Sequence, residues 1–229
     1  MSSPITELVS PTAPATVPEL ARAWVAGWTV SRRVPPPVAD PWGLRIAVGA
    51  PGQRVRHVLP AADEALVRGL AATVVEPDVW LKTFVEPKVL RGWLPAGWVP
   101  DAPGWLMTSP LRPAHGPTPV PAGYTLSLTA ERGVTQVRLH TPDGVLAARG
   151  QTAVVDTVAV VDQIATHPEH RRRGLGRLVM GALAEAAVAA GAHTGLLGAT
   201  TEGRALYRTL GWRTRAPLTG FIHRPRPAR

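Results

Sequence analysis

The chain contains no cysteine. That absence removes disulfides, thiolate metal ligands and a cysteine nucleophile together, and it leaves no argument for an oxidising compartment. Long apolar runs are missing as well. Glu185 and His193 interrupt the longest one well short of a membrane span, and the opening MSSPITELVSPTAPATVP lacks the basic start and apolar core of a signal peptide. A cytoplasmic protein without membrane contact is expected. The seven histidines show neither H-x3-H nor H-E-x-x-H spacing, so no metal site is expected.

Acidic residues are scarce in the last quarter of the chain. Residues 171–229 hold eleven arginines against only Glu185 and Glu202, whereas residues 1–170 balance 14 basic and 14 acidic side chains, so the whole net charge of +9 lies in the last 59 residues. Positive potential concentrated in one part of a fold points to a polyanionic ligand; for the tail HRPRPAR a solubilising basic surface is the plainer reading. What remains is ordinary globular material, 229 residues of which 45% are hydrophobic, enough for one large domain or two small ones.

The pattern along the chain divides it in four. Residues 1–16, rich in Ser, Thr, Pro and Ala, read as a flexible leader. Residues 17–110 read as an N-terminal α/β lobe. Leu20, Trp24 and Trp28 lie on one face of a helix that must end before Pro35–Pro37, a hairpin spans Leu44–Val48 and Val55–Leu59, a helix covers Asp63–Thr73, and strands follow at Trp80–Val85 and Trp105–Thr108. Residues 111–121 are a Pro-rich linker, part of a stretch with five prolines in twelve residues. Residues 122–229 form the second domain. Its strand patterns at 124–129, 134–139, 145–155 and 158–166 give a largely antiparallel sheet, and Gly174–Ala190 has the three-to-four apolar spacing of a helix packed on it. A strand at Thr194–Ala199 and a helix at Glu202–Leu210 come next, and Trp212–Arg215 with Gly220–His223 read as a closing hairpin. The fold class is α+β in layers, a mixed and mostly antiparallel sheet flanked by helices, with no repeat visible in the sequence.

The feature that carries chemistry is Arg171-Arg172-Arg173-Gly174-Leu175-Gly176-Arg177, between a strand and an amphipathic helix. A strand feeding a helix through glycines leaves the first helical N–H groups unpaired, and the missing Cβ atoms let a phosphate approach the backbone. Val179 stands where G-x-G-x-x-G needs its third glycine and no G-x-x-x-x-G-K-[ST] run exists, which disfavours dinucleotide and nucleoside-triphosphate loops. Coenzyme A, with a pyrophosphate and a 3′-phosphate, fits.

These residues resemble the GNAT superfamily of N-acetyltransferases, whose hallmark R/Q-x-x-G-x-G/A is matched by Arg171-x-x-Gly174-x-Gly176. Asp162 to His170 looks like the family's fourth strand and the Pro-Glu turn after it, and Ala205-Leu206-Tyr207-Arg208-Thr209-Leu210-Gly211-Trp212 resembles its A-x-x-L-Y-x-x-x-G-F helix. The resemblance covers about residues 145–215 and implies a GNAT-type sheet in the domain 122–229 and acetyl-CoA as the acyl donor. It also implies that Ile164, Ala165 and Thr166 hold the pantetheine arm and acetyl carbonyl and that Arg171, Arg172, Arg173, Gly174, Leu175, Gly176 and Arg177 cradle the pyrophosphate. Thr200 stands where relatives have a cofactor-contacting asparagine, and Tyr207 occupies the proton-donor position, with a core packing role as the alternative. Asp162 matches a general-base position, or else is a structural acid paired with a nearby arginine; the other base position of the family is Gly195 here.

Only Glu131-Arg132-Gly133 separates the first two strands of this domain, too little for the helices that build the family's acceptor site. Residues 17–110 are therefore expected to cover the acceptor side as a degenerate GNAT-like half, with some of Trp24, Trp28, Trp42, Trp80, Trp93, Trp98 and Trp105 lining it. The acceptor is a primary amine of a small molecule or peptide, neutral or acidic rather than polycationic, and a homodimer is compatible with the chain. Two alternatives stand beside this reading: a non-catalytic CoA-binding sensor or scaffold, and a nucleic-acid binder suggested by the arginines.

Overall fold

The computed structural model of the chain describes residues 15–112 and 119–225; the leader up to residue 14, residues 113–118 of the Pro-rich stretch and residues 226–229 of the tail lie outside the described residues. The chain starts with α1 (Val17–Arg32), whose N-terminus is closed by a reciprocal pair: the Thr16 hydroxyl accepts from Glu19 N, and the Glu19 carboxylate accepts from Thr16 N at 2.7 Å. Arg33, with φ 54°, stops the helix before the proline run. There follow β1 (Val38–Asp40), β2 (Gly43–Ala50), β3 (Gln53–Val58), α2 (Glu64–Thr73), β4 (Val79–Thr83), α3 (Pro87–Trp93), β5 (Trp98–Pro100) and β6 (Gly104–Pro110). The second half contains β7 (Thr125–Glu131), β8 (Val134–His140), β9 (Leu146–Val155), β10 (Val158–Thr166), a 3₁₀ turn (Pro168–His170), α4 (Leu175–Ala189), β11 (Thr194–Thr200), α5 (Thr201–Thr209), β12 (Arg213–Pro217) and β13 (Thr219–His223). Among the described residues no helix is long and apolar enough to cross a membrane.

Two sheets result, ordered β1-β2-β3-β4-β13-β5 and β12-β6-β11-β10-β9-β8-β7. Among the described residues only β3–β4 and β10–β11 pair in parallel. With the chain's two halves written one above the other, β1 to β6 and β8 to β13 follow the same path. Each runs through two antiparallel neighbours, crosses by a helix to a parallel strand, passes through a second helix to an edge strand, and sends its last strand into the other sheet. Thus β6 lies between β11 and β12, and β13 lies between β4 and β5.

The exchange corrects two expectations. β12 and β13 form no closing hairpin: Leu218, the single residue between them, is buried between the sheets, so the chain crosses from one sheet to the other instead of turning back. A division at residues 110 and 122 follows the chain but not the sheets, because β6 belongs to the second sheet, β13 to the first, and α1 packs on β9 and β10. The fold class stands as expected, and the first half repeats the topology of the second.

Strand periodicity sorts the core into layers. On the inner face of the second sheet, Leu106, Val160 and Leu196 meet Leu20, Trp24, Val25 and Trp28 of α1 and Ile46 and Val58 of the first sheet. Their sequence neighbours Met107, Val161 and Leu197 face outward beneath α4 and α5. Each large apolar side chain that α1 buries contributes roughly 1.5–3 kcal/mol. The approach is so close that a Cβ on Gly27 would overlap the Val160 side chain. α1 thus lies across the inner face of the second sheet.

Candidate active site

The parallel pair β10–β11 is hydrogen-bonded only from Val158↔Thr194 to Val160↔Leu196, after which β10 continues to Thr166 and β11 to Thr200 without pairing with each other. A bulge in β10 helps to open them: the register against β9 shifts between Asp162 and Ala165, and Gln163 sits at φ 56°. The side chain of Ile164 fills the space above Gly150, where any Cβ would overlap it. Ile164, Ala165 and Thr166 therefore line a slot whose backbone on the β11 side has no strand partner.

The slot leads to the glycine loop. After the 3₁₀ turn the chain passes through Arg172 at φ 62° and Gly174 at φ 76° into α4, whose N-terminus carries no side-chain cap and no acidic residue in its first turn. Gly174 is needed for its left-handed backbone, and a Cβ there would meet nothing within 4 Å, so the space before the helix is open. Gly176 serves packing instead, since a Cβ would stand 3.1 Å from Leu206 of α5. Arg171, Arg172, Arg173 and Arg177 are exposed around this open end, and Leu175 is buried beneath it. Tyr124, which the sequence reading passed over, pins the loop: its hydroxyl accepts from Arg173 Nη1 at 3.0 Å and lies 3.0 Å from His170 Nδ1. Free helical N–H groups, a positive dipole end and exposed guanidiniums form an anion cradle.

Tyr207 lies in the same outer core cluster as Val161 and Leu175, with Ile164 packed against it, and its ring rests on Gly203 and beside Trp212. Only 7% exposed, its hydroxyl is pushed up to about 12 by burial, with the Asp162 charge adding to the effect, so it stays protonated at neutral pH. Thr200 caps α5, accepting from Gly203 N at 3.1 Å. Asp162 is gripped on all sides. Arg32 of α1 reaches it through Nε and through Nη2 at 2.9 Å, and Ser31 Oγ and Gln163 N donate at 3.3 and 2.9 Å. The partner arginine thus comes from the first helix, not from the arginines adjacent in sequence, because the strand exchange lays α1 across β10. Gln151 fixes the same helix end by donating to Ser31 O at 2.6 Å.

Beside this end of β11 a cleft of about 500 Å³ opens between the sheets, where the exchanged strands cross; Asp101, Gly104, Trp105, Arg204 and Gly220 contribute to its walls. Gly104 pairs with Thr200, which puts the cleft at the C-terminal end of β11, where β10 and β11 diverge. Among the described residues no group of three or more His, Asp or Glu is placed to hold a metal ion.

A mixed sheet split between two parallel strands thus leads into an uncapped helix N-terminus ringed by arginines. Residues 130–214 match the family model described as Acetyltransferase (GNAT) domain, so this segment of the chain carries a GNAT-type domain. A GCN5-related N-acetyltransferase from Kribbella flavida is 21% identical, with a TM-score of 0.63 over 95% of this chain and 98% of that one. A protein described as a GNAT-family acetyltransferase from Novosphingobium aromaticivorans is 20% identical, with a TM-score of 0.57 over 91% and 99%. A tandem GNAT protein from the clavulanic acid biosynthesis pathway is 16% identical, with a TM-score of 0.53 over 72% and 69%. At these identities the likeness is one of fold. No curated protein matches the sequence.

Proposed function

We propose that the protein moves an acetyl group from acetyl-CoA to a primary amine of a small molecule or peptide by direct attack on the thioester. The observation that carries this reading is the open, uncapped N-terminus of α4 at Gly174, facing empty space at the end of the β10–β11 slot. The residues fit the donor: the amides from Arg172 to Arg177 would receive the pyrophosphate, with Arg171 and its neighbours supplying counter-charge, and the unpaired backbone of Ile164, Ala165 and Thr166 would hold the pantetheine arm. When bound, acetyl-CoA supplies a thioester carbonyl open to attack by a neutral amine. A backbone N–H on the unpaired side of β10 would steady the oxyanion, and Tyr207, protonated at neutral pH, would give its proton to the departing sulfur.

Asp162 has a different part in this reading. Its oxygens are taken up by a guanidinium, a hydroxyl and an amide, so it acts as the clamp that seats α1 on β10, and the amine's proton leaves to water at the mouth of the slot. Thr200, engaged by Gly203, contributes by starting α5 in the direction that delivers Tyr207. The occupation of Asp162 is also the one observation that favours a non-catalytic CoA-binding protein.

The test is a thermal-shift titration with acetyl-CoA on the parent chain, Gly174→Glu and Gly174→Ala, followed by thiol release with a panel of amines. Stabilisation of the parent and of Gly174→Ala, with none for Gly174→Glu even at a hundredfold higher concentration, is expected, because Glu puts negative charge into the cradle whereas Ala adds only backbone strain. No stabilisation of the parent at millimolar acetyl-CoA would end the acyltransferase reading. Binding without thiol release from any amine would leave the sensor.

A further inference from the structure

The hairpin register aligns Arg56 with Ile46, and β4 adds Trp80 and Lys82 to the same row, so Arg56, Trp80 and Lys82 share the inner face of the first sheet with Ile46 and Val58. That face looks at α1. The Arg56 guanidinium lies 4.1 Å from the Trp28 ring centroid and 5.7 Å from that of Trp80, and the Lys82 ammonium is 5.4 Å from Trp80. Arg32 lies at the other edge of Trp28, 5.6 Å from its centroid. Three cations and two indole rings thus gather between the sheets, and the charges of Asp162 and Asp101 act on Arg56 without pairing with it.

Both carboxylates are already engaged. Asp101 pairs with Lys82 at 2.5 Å, and Asp162 is held by Arg32. Arg56 is the cation left over. It is only 8% exposed, and among the described residues no carboxylate pairs with it. Burial pulls it down to about 10, with Arg32 acting in the same direction. Gln53, its amide oxygen turned toward the guanidinium, accepts from Nε and Nη2 at 2.8 and 2.7 Å, which uses one edge of the fork and leaves the parallel N–H pair on Nη1 and Nη2 free. A buried guanidinium with no carboxylate paired to it is costly to the fold, and its free edge is complementary in geometry to a carboxylate.

Position ties the cluster to the slot. Asp162 lies just past Val160, the last β10 residue paired with β11. On the other side, the cleft between the sheets is lined by Asp101 and Gly220, and a Cβ on Gly220 would overlap the Lys82 ammonium group.

We infer that the inner face of the first sheet is the acceptor wall and that Arg56, between Trp28 and Trp80, binds a carboxylate on the acceptor, making an amino-acid-like amine the substrate class. The inference rests on the acetyl-transfer reading and narrows it. The indole faces strengthen a guanidinium's hold and provide apolar walls for a side chain beside the carboxylate. The repetition of GNAT topology in the first half then acquires a use, since its sheet faces the slot of the second.

The test uses probes that resemble acetylated products: N-acetyl-phenylalanine, N-acetyl-leucine and N-acetyl-glycine, each against its uncharged C-terminal amide, titrated into the full chain at low salt and followed by thermal shift. At least one carboxylate is expected to stabilise the parent at a tenfold or lower concentration than its amide, and Arg56→Gln should remove the difference. Equal response to all three pairs, or a preference that survives Arg56→Gln, overturns the inference. The acetyl-CoA shift, read at the separate Gly174 loop, shows whether the variant is folded; if it is not, Arg56→Lys, which keeps the charge and loses the fork, must reduce the discrimination at least threefold or the inference falls. Acetyl-CoA stabilisation without carboxylate preference sinks this inference alone, whereas carboxylate preference without acetyl-CoA stabilisation sinks the transfer reading and leaves the anion site standing.

Discussion

The two halves of the chain follow one topology and treat its key junction in opposite ways. In the second half the parallel strands part after Val160↔Leu196, and the helix that follows begins at an uncapped glycine with no acid in its first turn. In the first half the pairing of β3 with β4 holds to Val58↔Lys82 and extends through Leu59 N to Lys82 O at 2.9 Å. Its helix begins at Asp63, whose carboxylate accepts from Leu66 N at 2.8 Å, with Glu64 in the first turn. One junction is open, uncapped and ringed by arginines. The other is a closed strand pair whose helix end is filled by its own carboxylates. The halves therefore differ in a few residues at the strand–helix junction and not in the path of the chain, and the proposed anion site goes to the open one.

The sharpest way to break this comparison is at Tyr207. The corresponding short helix of the first half, α3, carries no tyrosine: Leu90 is buried there, and Arg91 donates to Trp98 O at 2.6 Å. If Tyr207 is the proton donor, Tyr207→Phe keeps the ring against Gly203 and Trp212 and lowers kcat about 10²–10³-fold, with the KM for acetyl-CoA little changed. Steady-state kinetics decides. Unchanged kcat would make Tyr207 a packing residue like its surroundings, and the halves would then differ only at the loop.

Acid titration offers the next test, and it belongs to the first half. His57, buried in β3, accepts from Trp42 Nε1 at 3.3 Å through Nδ1, and burial pushes it down to about 4 from an ordinary 6.5. The native state thus holds the neutral ring while the unfolded chain takes up a proton first, so stability is fully present above pH 6.5 and falls as pH drops toward 4. The loss across that window is of order 3 kcal/mol if the whole shift is realised. Urea midpoints measured from pH 7 to 4 should fall for the parent, and His57→Gln should flatten the curve in this range. A parallel decline in both proteins would place the acid sensitivity elsewhere.

Much of the second half was legible because its signals are local. The apolar spacing of α4, the two glycines at its head and the Leu206-Tyr207 block each lie within one element, and each stands where expected. The exchange of β6 and β13 left no such trace, since strand partners are chosen by burial across distant parts of the chain, and Leu218 reads the same in a hairpin or a crossing. The Arg32–Asp162 pair spans 130 residues and exists only once α1 is laid over β10. α3 escaped notice because seven residues beginning with Pro87 give too few turns for periodicity to register. Arg56 did leave a clue: in the hairpin anticipated at 44–59 it falls opposite Ile46, a charge on the apolar face.

The smallest expected effect tests the closed junction itself. Asp63→Ala removes the cap of α2, a loss of about 1 kcal/mol that leaves Leu66 N without its partner. Since the second half has its own open junction, the acetyl-CoA-induced shift in Tm should be the same in this variant as in the parent, while the unliganded Tm falls by a few degrees. Equality of the two shifts would establish that the first half contributes nothing to donor binding. A reduced shift would mean that the closed half supports the cradle through the shared sheets, and the division of labour drawn from the two junctions would have to be redrawn at β6 and β13, where each half holds a strand of the other.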